Sequence, residues 1–179
     1  MTLSAVTRRW PTWLALAWAA LSLADLGTGL EYAFLLLVAA VGYLFITVVD
    51  RSRLTWPVLV GLVALVVALR LLGVDPWPAL AVTAVTLIAA GLITGPLRRA
   101  GLHAWQTPAA IAFIALGMTA LAVPAEIGSY LVAAGLLGHA AWDAVHWRAG
   151  RIVTRSFAEW CGVLDATLGV GILALTIMR

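Results

Sequence analysis

Seven long apolar runs, at about 10–28, 31–49, 55–73, 77–96, 107–123, 128–148 and 157–177, alternate along the chain with short polar breaks. A bilayer core about 30 Å thick takes about 20 apolar residues of helix, so each run predicts one membrane span. All seven prolines (Pro11, Pro57, Pro76, Pro78, Pro96, Pro108 and Pro124) fall at or near the ends of these runs. Proline suits the first turn of a helix and breaks its interior, which supports the same boundaries independently of hydropathy. The expected fold class is all-α: a polytopic transmembrane bundle of about seven helices, forming one membrane domain over residues 1–179.

Composition strengthens that expectation. The chain is 64% hydrophobic and 11% charged, with a mean hydropathy of +1.05. Soluble domains carry about 25% charged residues, and a fold of this size has too little interior to hide so much apolar surface. The formal charge of +3 reflects arginines facing anionic lipid rather than nucleic acid. The sequence has no lysine, which excludes a Schiff-base lysine and with it a retinal chromophore. A lone cysteine, Cys161, excludes an internal disulfide. Arg8 and Arg9 ahead of the first apolar run, with Ser22 and Ala24 further on, resemble a secretory signal, and the expectation is an uncleaved signal-anchor helix.

The arginines also set an orientation. With seven spans, Arg8, Arg9, Arg51, Arg53, Arg98, Arg99, Arg148, Arg151 and Arg155 share one side. Asp25, Glu31, Asp75 and Glu126 share the other, with Arg179 at the end of the chain. The positive-inside rule then predicts a cytoplasmic N-terminus and an external C-terminus, in the plasma membrane of a bacterium. Seven tryptophans near run ends, such as Trp10, Trp56, Trp105 and Trp147, suit an interfacial belt. Arg70 lies a turn from the outer end of the third run, where it can snorkel outward or meet an outer carboxylate. Gly91-x-x-x-Gly95 suggests a close helix contact.

The chemistry concentrates in the last two runs. His139, Asp143 and His146 are spaced i, i+4, i+7 and occupy one stripe of the sixth helix; Cys161 and Asp165 share one face of the seventh. Two helices joined by a short loop are antiparallel. Reflection about Ile152 puts His139 level with Asp165 and Asp143 level with Cys161. Asp165 would then lie about 13.5 Å inside the helix start, close to mid-bilayer. An unpaired aspartate there costs about 2.5–3.5 kcal/mol, so these groups are expected to face protein or water. Ser156-x-x-Glu159 reads as a capping box, with Ser156 as N-cap and Glu159 turned away from the polar face.

Three readings follow from that seam. His139, Asp143, Cys161 and Asp165 could hold one zinc or iron ion that activates water or oxygen. His146, about 10.5 Å of helix rise from His139, would then be a catalytic acid/base group or the mouth of a proton path. Alternatively, the seam relays protons or binds a small solute without metal. The plainest reading is a His139–Asp165 clasp between helices, with Cys161 as filler. Haem is disfavoured because both candidate axial histidines lie on one helix, and His103 reads as a solvated loop residue. Tyr43 can reach the interior, more simply as a packing residue. Glu126 could line an outer opening.

The span count and the intramembrane His/Asp set resemble the membrane metal hydrolases related to alkaline ceramidase. In that family His-x-x-x-His would be expected near the last span, whereas this chain has His139-x-x-x-Asp143. Membrane-embedded terpene cyclases also use acidic groups inside a helical bundle. No residue role transfers from either. The expected function is a membrane enzyme, metal-dependent in the sharper reading, acting on a lipid or isoprenoid. The alternatives are a small-solute or proton-coupled carrier, or an accessory subunit of a membrane complex.

Overall fold

The computed structural model describes residues 7–25 and 27–179; Leu26, inside the first expected run, lies outside the described residues. Over the described residues the chain is helical and contains no strand. Seven helices of fifteen residues or more follow one another: α1 Trp10–Ala24, α2 Ala33–Val49, α3 Thr55–Leu71, α4 Pro76–Thr94, α5 Leu102–Ala122, α6 Ala125–Ala149 and α7 Arg155–Ile177. Five of them (α2 to α5 and α7, two with an adjoining 3-10 turn) are long and apolar enough to cross a membrane. At 15 residues α1 is shorter. The 25 residues of α6 span about 37 Å, but α6 carries His139, Asp143, His146 and Arg148 and is not one of the five. The protein is a polytopic membrane bundle.

One proline departs from expectation. Pro108 lies inside α5, which starts at Leu102 rather than near Thr107. The first turns of a membrane helix need not be apolar, so hydropathy missed the turn that holds Trp105 and Gln106. Gly91 makes a tight contact with Leu97 and Val48, whereas Gly95 is the left-handed C-cap of α4 at φ 101°. Arg70 stands over the Phe34 ring, 5.3 Å from its centroid.

Contacts between helix ends fix how the bundle is strung. At one end Arg9 meets Glu159, Asp50 meets Arg99, Thr154 N–H donates to Thr55, and Gln106 reaches His146. At the other end Ser129 donates to the Thr28 carbonyl, Tyr32 to the Ser22 carbonyl and Arg179 to the Gly27 carbonyl. Successive helices therefore run up and down, which gathers the arginines of three loops at one end. There the Arg99 guanidinium, 2.5 Å from Asp50, holds the Asp50 carboxyl below the ordinary aspartate range.

α2 is the axis of the bundle. It is apolar on every side, as a helix surrounded by protein should be. Its Leu36 packs with Leu136 and Leu168 of α6 and α7, while its Leu37 and Leu44 pack with Leu62 of α3 and Leu80 of α4. The most extensive helix pair is α6 with α7, and glycine makes it possible. A Cβ at Gly169 would sit 2.9 Å from Leu137 Cγ and 3.1 Å from the Ala133 carbonyl; one at Gly162 would sit 3.1 Å from Asp143 Cβ. Small residues let the two backbones approach closely where no hydrophobic force drives helices together in lipid.

Candidate functional site

Close approach of α6 and α7 brings four sequence-predicted residues together. His139, Asp143, Cys161 and Asp165 are all buried, and one ligand atom from each lies within 4.8 Å of every other. His139 Nδ1 is 2.7 Å from Asp165 Oδ2 and 3.2 Å from Asp143 Oδ2. Cys161 Sγ is 4.0 Å from Asp165 Oδ2. The matched heights expected from reflection about Ile152 are present, and the groups face each other. Ile152 itself takes φ 71° in the tight connection after Gly150, a conformation unusual for a β-branched residue.

The polar balance of this cluster is incomplete. Both carboxylates converge on His139 Nδ1, but its hydrogen bond goes to Asp165 Oδ2, and Asp143 Oδ2 stands 3.2 Å away in charge contact alone. Asp143 Oδ1 accepts from the Tyr43 hydroxyl, while Asp143 Oδ2 is buried without a hydrogen bond. Two carboxylates beside one imidazole leave negative charge uncompensated even when the imidazole is protonated. At this burial such charge is costly unless a proton or cation shares the site. Ligand atoms around a tetrahedral zinc, with bonds of about 2.0–2.3 Å, stand roughly 3.3–3.7 Å apart. The 2.7, 3.2 and 4.0 Å separations bracket that spacing. The cluster is thus compatible with a metal ion.

His146 belongs to a second, adjoining group. It is completely buried. Its Nδ1 lies 3.0 Å from the Trp142 carbonyl, which can only accept, so this nitrogen carries the proton. Its Nε2 lies 2.9 Å from the Gln106 amide nitrogen. That amide also donates to the Leu102 carbonyl at 3.2 Å, which identifies it as the NH2 end and His146 Nε2 as the acceptor. The Tyr43 ring packs edge-on between the two histidines, 5.5 Å from His139 and 4.8 Å from His146.

Other expectations fare differently. Glu159 does not close a capping box: the N-cap of α7 is Thr154, whose hydroxyl accepts from the Phe157 amide. Ser156 instead accepts from the Trp56 indole, and Glu159 accepts from Thr12 at 2.6 Å and pairs with Arg9 at 3.2 Å, tying α7 to α1. His103 lies in the first turn of α5 rather than in a loop, 4.0 Å from Asp50. Tyr43 is a member of the polar cluster rather than only a packing residue. Gln106 had no signal beyond being an amide at the edge of an apolar run.

An apolar cavity of about 500 Å³ adjoins the cluster, bounded by α1, α2, α3 and α7, with Cys161 and Asp165 in its wall. No protein-family profile, curated protein sequence or solved structure matches this chain.

Proposed function

We propose that the protein is a metal-dependent membrane enzyme acting on a lipid or isoprenoid, with His139, Asp143, Cys161 and Asp165 holding one zinc or iron ion. The observation that carries this reading is the convergence of four buried ligand atoms within 4.8 Å, beside an apolar cavity. Thiolate, imidazole and carboxylate together suit zinc or iron better than magnesium or calcium. When bound, such an ion would supply Lewis-acid chemistry in a site closed to bulk water.

The chain's own residues then divide the work. Tyr43 fixes the Asp143 carboxylate through one oxygen and leaves the other for the ion. His146, with both nitrogens in hydrogen bonds, acts as a positioning residue behind Tyr43 rather than as a free base. In this reading all seven helices cross the plasma membrane of a bacterium with the N-terminus in the cytoplasm, because the arginine-bearing end belongs inside.

A second reading draws on the close contacts that link Tyr43, Asp143, His139 and Asp165, along which a proton could pass. It makes the protein a proton-coupled carrier. Metal analysis of protein purified without chelators separates the two. Stoichiometric zinc or iron, lost in folded His139→Ala and Asp143→Ala variants, supports the enzyme. Metal-free protein that moves solute across vesicles in response to a pH gradient supports the carrier and ends the first reading.

A further inference from the structure

The lining of the cavity extends along α3 for about the length of a lipid chain in one leaflet. On α3 its lining runs from Thr55 to Val67, thirteen residues or about 18 Å of helix rise. One leaflet of a bilayer core is about 15 Å deep. Several residues that line it, Trp18, Val60, Val63 and Val67 among them, are also exposed on the outside of the bundle. The cavity therefore opens sideways, between α1 and α3, above the point where Trp10 and Trp56 stack at 5.3 Å. This mouth gives a molecule in the lipid phase a route to the polar cluster.

We infer that the cavity takes a neutral long-chain alcohol, alkyl or prenyl, bound with its hydroxyl at Asp165 and Cys161 and its chain along α2 and α3. The inference rests on reading the α6–α7 cluster as the centre that contacts the ligand. Charge selects against the common alternatives. No arginine or lysine lines the cavity, and the charged residue in its wall is Asp165, itself next to Asp143. A phosphate or carboxylate head would meet like charge, since two carboxylates and a thiolate outweigh even a bound divalent ion, and burial makes that cost large. Hydrogen bonding narrows the choice further. Asp165 offers acceptors, so a ligand group must donate, which a ketone or ester cannot do. Trp160, which also lines the cavity, has an indole N–H buried without a partner, a donor that a hydroxyl oxygen can satisfy. A hydroxyl donates and accepts at once.

The test uses the full chain in lipid nanodiscs and a photoreactive hexadecanol, with hexadecanol, palmitate and hexadecyl phosphate as competitors at alkaline pH. Saturable labelling is expected, mapping to α2, α3 or α7, with palmitate and hexadecyl phosphate competing about tenfold less well or worse, a gap of about 1.4 kcal/mol. Two variants narrow the cavity. Gly42→Leu starts from a position where an added Cβ meets only Leu62 Cδ1 at 3.6 Å, and Ala39→Phe adds bulk from the same helix. Each should cut labelling about tenfold while leaving metal content at the parent level. Equal competition by acid and phosphate, unsaturable labelling, or full labelling of both variants would overturn the inference. Metal-free protein that still prefers the alcohol would keep this inference and remove the metal reading; metal-loaded protein without the preference would do the reverse.

Discussion

The two sides of the bundle are built to opposite rules. On the α6–α7 side nine residues of α6 and eight of α7 are buried, glycines bring the backbones together, and the interior is polar. On the α3–α4 side only Thr55 and Leu62 of α3 are buried, and Gly61 has open space around it. The first side has the precision needed to hold ionisable groups in lipid, and the second has the looseness that leaves a cavity. The same loosely held α3 that packs poorly also forms the wall through which an apolar ligand can arrive.

The sharpest way to break this contrast is to remove half of the α6–α7 polar pair. His139→Ala takes the 2.7 Å partner from Asp165 and the 3.2 Å partner from Asp143, and leaves two buried carboxylates uncompensated. We expect a loss of about 3–5 kcal/mol in reversible unfolding from mixed micelles; a loss below 1 kcal/mol would mean that the pair is not a structural requirement. Tyr43→Phe removes the donor to Asp143 Oδ1. It should cost about 1–3 kcal/mol in the same assay, and lower metal affinity about 10–100-fold if the cluster holds an ion.

One substitution made on both sides tests the packing difference directly. Gly169→Ala places a methyl 2.9 Å from Leu137 Cγ and should destabilise by about 1–3 kcal/mol. Gly61→Ala meets nothing within 4 Å and should stabilise by about 0.4–1 kcal/mol, through a less flexible unfolded chain. Equal effects would erase the distinction. The smallest effect is expected at the exposed Asp50–Arg99 pair, which lies outside both regions. Its carboxyl is held low in the folded state. The contribution is present above the unfolded aspartate pKa of about 3.9 and is lost as pH falls through the lower folded value. Thermal scans of the parent and Arg99→Ala should differ by less than about 1 kcal/mol near neutrality and converge in acid.

How much of this was legible depended on whether the information was local. Helix positions were, because bilayer thickness imposes run length on the sequence, and all seven runs became helices. The His139–Asp165 pairing was legible because a short loop forces two neighbouring helices into register. Tyr43 on α2 is 100 residues from Asp143, Gln106 on α5 is 40 residues from His146, and no spacing rule relates them. Glu159 shows a local rule losing to a tertiary one. The S-x-x-E pattern is present, but Arg9 and Thr12 draw its carboxylate to α1, and Thr154 caps the helix instead. The cavity left no trace in the pattern, since its walls are the same aliphatic residues that face lipid elsewhere.

The polar stripe of α6 also bears on how the chain is made. With His139, Asp143 and His146 on it, this helix falls outside the five that are long and apolar enough to cross a membrane. A single aspartate near the centre of a helix disfavours insertion by about 2.5–3.5 kcal/mol. Their partners are Tyr43 and Gln106, already synthesised, and Asp165, still to come. If α6 spans the bilayer as proposed, its polar stripe is covered only once α7 emerges, which favours entry of the two as one hairpin.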